Sequence, residues 1–219
     1  MKDVENTVNH LRNTGKYTNE EIQHQPNVLG LNVTTIENRS NVFQECSFRD
    51  VLLSFLVKYV SIMNKKVNIL KAHDYINPEA NVAKNLAQHL KLNVMVKDNI
   101  GENIAINELR QKLLNLFLKE ELKCSSPHIE KLWKTYPRLR QRNFQDITVT
   151  VKILKESLNL TNEKIVNNGY LLYAEPKNIL NILKEVPTIA GTGKIILSIF
   201  FPLNLTTSSN SRHSRNFTA

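Results

Sequence analysis

The sequence predicts an all-α chain, folded as a solenoid of stacked helical repeats. Three observations carry that prediction. Apolar residues recur at helical spacing in several stretches. Short motifs return at intervals suited to a repeating unit. Glycine and proline are scarce, six and seven among 219 residues, whereas an all-β chain needs turn signals roughly every 8–12 residues.

Composition narrows the class further. The chain is 41% hydrophobic and 22% charged, which fits neither a disordered segment nor a membrane bundle. Lysine and arginine outnumber acids 29 to 20, a net charge of +9. Residues 1–40 sum to −1, and the segments 41–100, 101–160 and 161–219 to +3, +4 and +3. Cys46 and Cys124 lie 78 residues apart, so they form no disulfide framework and no zinc spacing, and they suit a reducing compartment. No metal or cofactor is predicted. The 28 leucines suit helices, and the 28 asparagines read as compositional bias. The sequons at Asn32, Asn38, Asn159, Asn204 and Asn216 then read as chance products of that bias.

The elements follow in order. The N-terminus lacks the apolar core of a secretory signal, and Asp3, Glu5, Glu20 and Glu21 spoil a transit-peptide pattern. Residues 1–14 are expected to be an extension, 15–192 the repeat array, and 193–219 an atypical, disordered tail. Thr18 caps a short helix, with Glu21 completing a capping box. Pro26 ends that helix, and Val28-Leu29 packs against a second one. Phe48, Val51, Leu52, Phe55, Leu56 and Tyr59 fall on one broad helical face. Val67-Asn-Ile-Leu70 reads as a degenerate turn, and Asn77-Pro78-Glu79 as a helix start capped by Asn77. Ile104 to Leu122 forms a long helix, and Ser126-Pro127 opens the next. Ile147-Thr-Val-Thr-Val151 alternates like a strand but runs into Lys152-Ile-Leu-Lys-Glu, so it reads as helix. Near the C-terminus the apolar run Ile195–Phe201 is seven residues long, and a bilayer needs about 20.

Internal similarity ties these elements together. Thr18-Asn-Glu-Glu-Ile22 returns 143 residues later as Thr161-Asn-Glu-Lys-Ile165, with Lys164 in place of the capping-box Glu. Ile153-Leu-Lys-Glu156 returns 29 residues on as Ile182-Leu-Lys-Glu185. Trp133-Lys-Thr-Tyr-Pro137-Arg-Leu139 supplies another proline turn. Units of this size cannot cover their own apolar face and do so by stacking.

Charge marks the candidate binding residues. Lys131, Lys134, Arg138, Arg140 and Arg142 fall in one run without a carboxylate, suited to phosphates and to salt-sensitive affinity. In the same run Tyr136 is a candidate for base stacking and Trp133 for the core. A second cluster is Lys65, Lys66 and Lys71 with His73, and a third is Lys152 and Lys155. The clusters are expected to align along one face. Enzymatic signals fail. Gly191-Thr-Gly-Lys194 lacks the first glycine and the closing Ser/Thr of a P-loop. The six histidines make no ligand spacing, and no nucleophile elbow is present. The chain is read as a non-enzyme.

Over residues 15–192 the chain resembles the mTERF family, the mitochondrial transcription termination factors. The motifs are Ile22…Pro26…Val28-Leu29, then Trp133…Pro137…Leu139, then Ile165…Gly169…Leu171-Leu172, where glycine replaces proline. Gly169-Tyr-Leu-Leu-Tyr-Ala-Glu-Pro-Lys-Asn-Ile-Leu180 and Val186-Pro-Thr-Ile-Ala-Gly191 look most like the insect members. The resemblance stops mid-repeat, so the chain reads as a shortened form. It implies a crescent of helical triplets whose concave basic side wraps duplex DNA, and a mitochondrial-matrix monomer that ends or pauses transcription by blocking the polymerase. Some relatives bind ribosomal RNA instead. The rival reading is a helical scaffold that docks proteins, distinguished by an apolar, mixed-charge groove.

Overall fold

The computed structural model describes residues 2–14, 16–92 and 102–185. The expected tail and the Gly191–Lys194 run lie outside them. Among the described residues twelve α-helices follow one another: α1 (Lys2–Asn13), α2 (Asn19–His24), α3 (Val33–Glu45), α4 (Leu53–Val57), α5 (Tyr59–Met63), α6 (Val67–Ala72), α7 (Val82–His89), α8 (Ile106–Glu121), α9 (Ser126–Thr135), α10 (Phe144–Lys152), α11 (Asn162–Asn167) and α12 (Pro176–Glu185). Two isolated bridges, Phe48 to Ile76 and Lys66 to Ala105, are the only β pairing among the described residues. The all-α solenoid is borne out.

Its unit is a short helix, a 3₁₀ turn and a second helix. The turns are Pro26–Gly30, Pro137–Gln141 and Gly169–Tyr173, after α2, α9 and α11. They coincide with the three proline or glycine motifs. Ile22, Trp133 and Ile165 are buried on the short helices, and Val28, Leu139, Leu171 and Leu172 in the turns. Six residues past each turn's start the chain enters the next helix, at Asn32, Asn143 and Glu175. The Thr18–Glu21 capping box forms as expected, and Thr161 caps α11 without one.

Asparagine is structural as well as abundant. Asn32, Asn81 and Asn143 each accept a hydrogen bond from the amide three residues on, at 2.8, 2.9 and 2.7 Å. They cap α3, α7 and α10. The expected start at Asn77 is therefore a correction. Asn77 instead accepts from the Glu79 amide at 3.1 Å in a local turn, and α7 begins at Val82. The cap of α9 is Ser125, one residue earlier than read, and Val67–Leu70 lies in α6.

The single helix expected over Phe48–Tyr59 is also broken. Ser47 adopts a left-handed φ of 63° beyond the end of α3. The Ser47 and Phe48 amides then donate to the Gln44 and Phe43 carbonyls, a Schellman end with the Phe43 and Phe48 rings 4.7 Å apart. Asp74 and Lys91 close α6 and α7 the same way, at φ 60° and 54°. With so few glycines, other residues take the left-handed position at a cost of roughly 1–2 kcal/mol each.

Gly169 stands where the other two turns have proline because a neighbour fills its space. A Cβ there would lie 2.4 Å from Leu132 Cδ1 and 2.9 Å from Tyr136 Cε2 of the preceding unit. Gly169→Ala is expected to cost about 1–3 kcal/mol through overpacking, read by urea unfolding. Gly30→Ala, whose Cβ meets nothing within 4 Å, should change stability by no more than about 0.5 kcal/mol.

One core runs from Leu11 of α1 to Ile179 of α12, and its largest fully buried side chain is Arg110 of α8. Arg110 pairs with the buried Glu45 at 3.0 Å, donates to the Arg142 carbonyl at 2.7 Å, and lies 3.9 Å over the Phe144 ring. The other Glu45 oxygen accepts from the Gln145 amide at 2.9 Å. Burial opposes the guanidinium charge, the anionic forms of its neighbours Cys46, Glu45 and Tyr59 favour it, and the pKa is raised. Burial pushes the Cys46 thiol itself up to about 11, so it is neutral at physiological pH and Glu45 supplies the countercharge. Removing one partner, as in Glu45→Leu, should cost about 3–5 kcal/mol by stranding a buried charge. The paired variant Glu45→Leu/Arg110→Met should recover most of that loss in the same unfolding assay.

Candidate nucleic-acid interface

The basic run after Lys131 occupies α9 and the turn behind it. Lys131 and Lys134 are three residues apart, hence on one helical face, and both are exposed. Arg138 is exposed at the second position of the turn. Lys65, Lys131, Lys134 and Arg138 are exposed and form no ion pair among the described residues. Tyr136 is half-buried, with its ring 6.3 Å from that of Tyr173. It shares with Lys131 a small cleft of about 130 Å³ between α9 and α11, floored by Leu132 and Val166.

The remaining arginines of the run turn inward. Arg140 is half-buried over the Trp133 ring at 5.2 Å. Trp133 is core, as expected, and its indole N–H donates to Asn115 at 2.8 Å. Arg142 keeps 10% of its side-chain surface exposed. Its guanidinium donates to the Tyr173 carbonyl, to the Ala174 carbonyl at 2.9 Å, and pairs with Asp146 at 3.4 Å. A 3₁₀ helix has about three residues per turn, so positions two apart point in different directions. Arg138, Arg140 and Arg142 therefore do not line up along a phosphate track.

The other clusters are largely engaged within the fold. Lys66 Nζ donates to Asn103 at 2.9 Å, and the mostly buried Lys71 pairs with Glu102 at 2.7 Å, fastening α6 to the segment before α8. Lys152 pairs with Glu156 at 3.8 Å, and Lys155 with Glu121 at 2.6 Å. Both line a separate cleft of about 400 Å³ with Glu120 and Phe117. The structure thus gathers Lys131, Lys134, Tyr136 and Arg138 into one region and leaves the other two clusters elsewhere.

A larger groove went unread in the sequence. Two open clefts of about 450 and 510 Å³ share Thr34, Asn38, Asp146 and Glu175 and so run into each other. Lys16, Arg39 and Lys177 line them alongside Arg138. None of the three sits in a basic run, so no local signal pointed to them. Among the described residues no group of acids, histidines and cysteines could hold a metal ion, and no helix is long and apolar enough to cross a membrane.

Stacked helix–turn–helix units with exposed, unpaired cations on one unit define a helical-repeat protein. Comparison with known proteins specifies which kind. Over 176 residues, 79% of its length, the chain is 37% identical to "Transcription termination factor 5, mitochondrial" of Drosophila melanogaster. This homology is to the mTERF family, with an insect protein as the homologue, as the motifs implied. The chain spans about a third of that protein's length, since the match covers 31% of it. No family model and no solved structure matches the chain.

Arg142→Ala is expected to remove the side-chain donor of the Tyr173 carbonyl, to leave the Ala174 carbonyl with Thr150 alone, and to cost about 1–3 kcal/mol. Urea unfolding reads this, and a loss of nucleic-acid binding without a loss of stability would contradict it.

Proposed function

We propose that the chain binds nucleic acid through α9 and the turn that follows, as a non-enzymatic factor in mitochondrial transcription termination or its regulation. The observation that carries this is the set of exposed cations, Lys131, Lys134 and Arg138, that no carboxylate neutralises among the described residues. By contrast Lys71, Lys112, Lys152 and Lys155 are paired within one turn or across a helix interface. Cations left free are the ones able to displace counterions from a phosphate backbone.

The homologue's name supports the setting, a mitochondrial termination factor. Double-stranded DNA is the favoured partner, held mainly by phosphate contacts that position the protein. The effect on transcription would be steric, a bound obstacle in the path of the polymerase, exerted by a monomer in the mitochondrial matrix. Ribosomal RNA remains the alternative substrate of the same surface.

The triple variant Lys131→Glu/Lys134→Glu/Arg138→Glu is expected to weaken duplex binding and to flatten its salt dependence. Each lost phosphate contact removes about 0.9 from the slope of log K against log salt. Fluorescence anisotropy at several salt concentrations measures this, and an unchanged slope would remove the surface from the site.

A further inference from the structure

The groove formed by the two merged clefts is bounded by both ends of the array. His10, Leu11 and Thr14 of α1 line one wall, and Pro176 and Lys177 at the start of α12 another. First and last described helices thus approach the same space. A cleft of about 450 Å³ lies between them.

The lining has the chemistry of a single strand. Its carboxylates each have a cationic or ionisable neighbour within the groove. Glu37 faces His10 at 4.0 Å, and Asp146 pairs with Arg142 at 3.4 Å. Burial lowers the Arg142 pKa, and Asp146 and Glu175 work against that, which sets Glu175 beside the same guanidinium. Lys16, Arg138 and Lys177 are exposed and have no ion pair among the described residues, which leaves cations in surplus along the groove. The half-buried Tyr173 ring offers a stacking face. The exposed amides of Asn41 and Gln141 offer donors and acceptors to base edges. Free cations that track a backbone, together with an aromatic platform, are what strand-binding grooves combine.

We propose that this groove receives one strand of nucleic acid, with Lys16, Arg138 and Lys177 on its phosphates and Tyr173 against a base. The inference rests on the nucleic-acid reading given above and adds a single-stranded site that adjoins the duplex-binding surface on α9 and shares Arg138 with it.

The test uses the full chain with a short mixed-sequence oligonucleotide, single-stranded and as its duplex, read by fluorescence anisotropy. Lys16→Glu/Lys177→Glu changes the groove, and Lys131→Glu/Lys134→Glu changes α9; all four are surface residues, and circular dichroism checks that the fold is kept. The groove variant is expected to lose about tenfold or more on the single strand, as phosphate contacts are reversed, with duplex affinity unchanged. Single-strand affinity indifferent to Lys16 and Lys177 would overturn the inference and leave the groove to a polypeptide. Equal weakening of both probes would overturn it too, as a general charge effect. Wild-type binding of duplex but not of single strand removes the groove site and keeps the α9 reading, whereas binding of neither probe removes both.

Discussion

The buried pair of Arg110 and Glu45 is the constraint around which the array is set. Three segments far apart in sequence meet there: the end of α3, the first half of α8, and the junction of the second 3₁₀ turn with α10. A charge inside a core is costly unless every hydrogen-bonding position is met in good geometry. The planar guanidinium meets this in part, with the Glu45 carboxylate, the Arg142 carbonyl and the Phe144 ring face, while its Nε has no partner. Apolar packing alone would let neighbouring units slide by part of a turn, because leucine tolerates many neighbours. A fork of donors accepts one register.

The same device recurs along the chain. A 3₁₀ turn ends with carbonyls that no helix continues, and these need donors. Leu31, Arg142 and Ala174 are the residues that close the three turns. Thr7 of α1 donates to the Leu31 carbonyl at 2.9 Å, Arg110 of α8 to that of Arg142, and both Thr150 and Arg142 to that of Ala174. Each turn is thus closed by a side chain from an earlier part of the array. That is how α1, with Leu11 fully buried, joins the shared core.

Legibility in the sequence followed the range of the interaction. The Thr18 capping box, the proline turns and the long α8 helix depend on residues within a few positions, and each was readable. Helix ends at Ser47, Asp74 and Lys91 were not, because these residues carry no intrinsic preference as strong as glycine's for a left-handed φ. The asparagine caps were hidden by abundance, since one Asn among many gives no contrast. Arg138, Arg140 and Arg142 looked equivalent in sequence. Their fates were decided by Trp133, Asp146 and the carbonyls of Tyr173 and Ala174, the last two some thirty residues downstream.

Net charge therefore has to be divided before it is interpreted. Part of the +9 is spent inside the fold: Arg110 and Arg142 hold units together, and Arg39 donates to the Leu56 carbonyl while lying over the Tyr59 ring. Part is cancelled locally, as at Lys71, Lys152 and Lys155. What remains includes the exposed cations on α9, in the turn behind it, and along the groove. Free charges serve specificity when they are held in fixed positions, and Arg142 and Arg110 fasten the end of the turn that carries Arg138. The inward arginines give the outward ones their geometry, so structural and binding charge belong to one design.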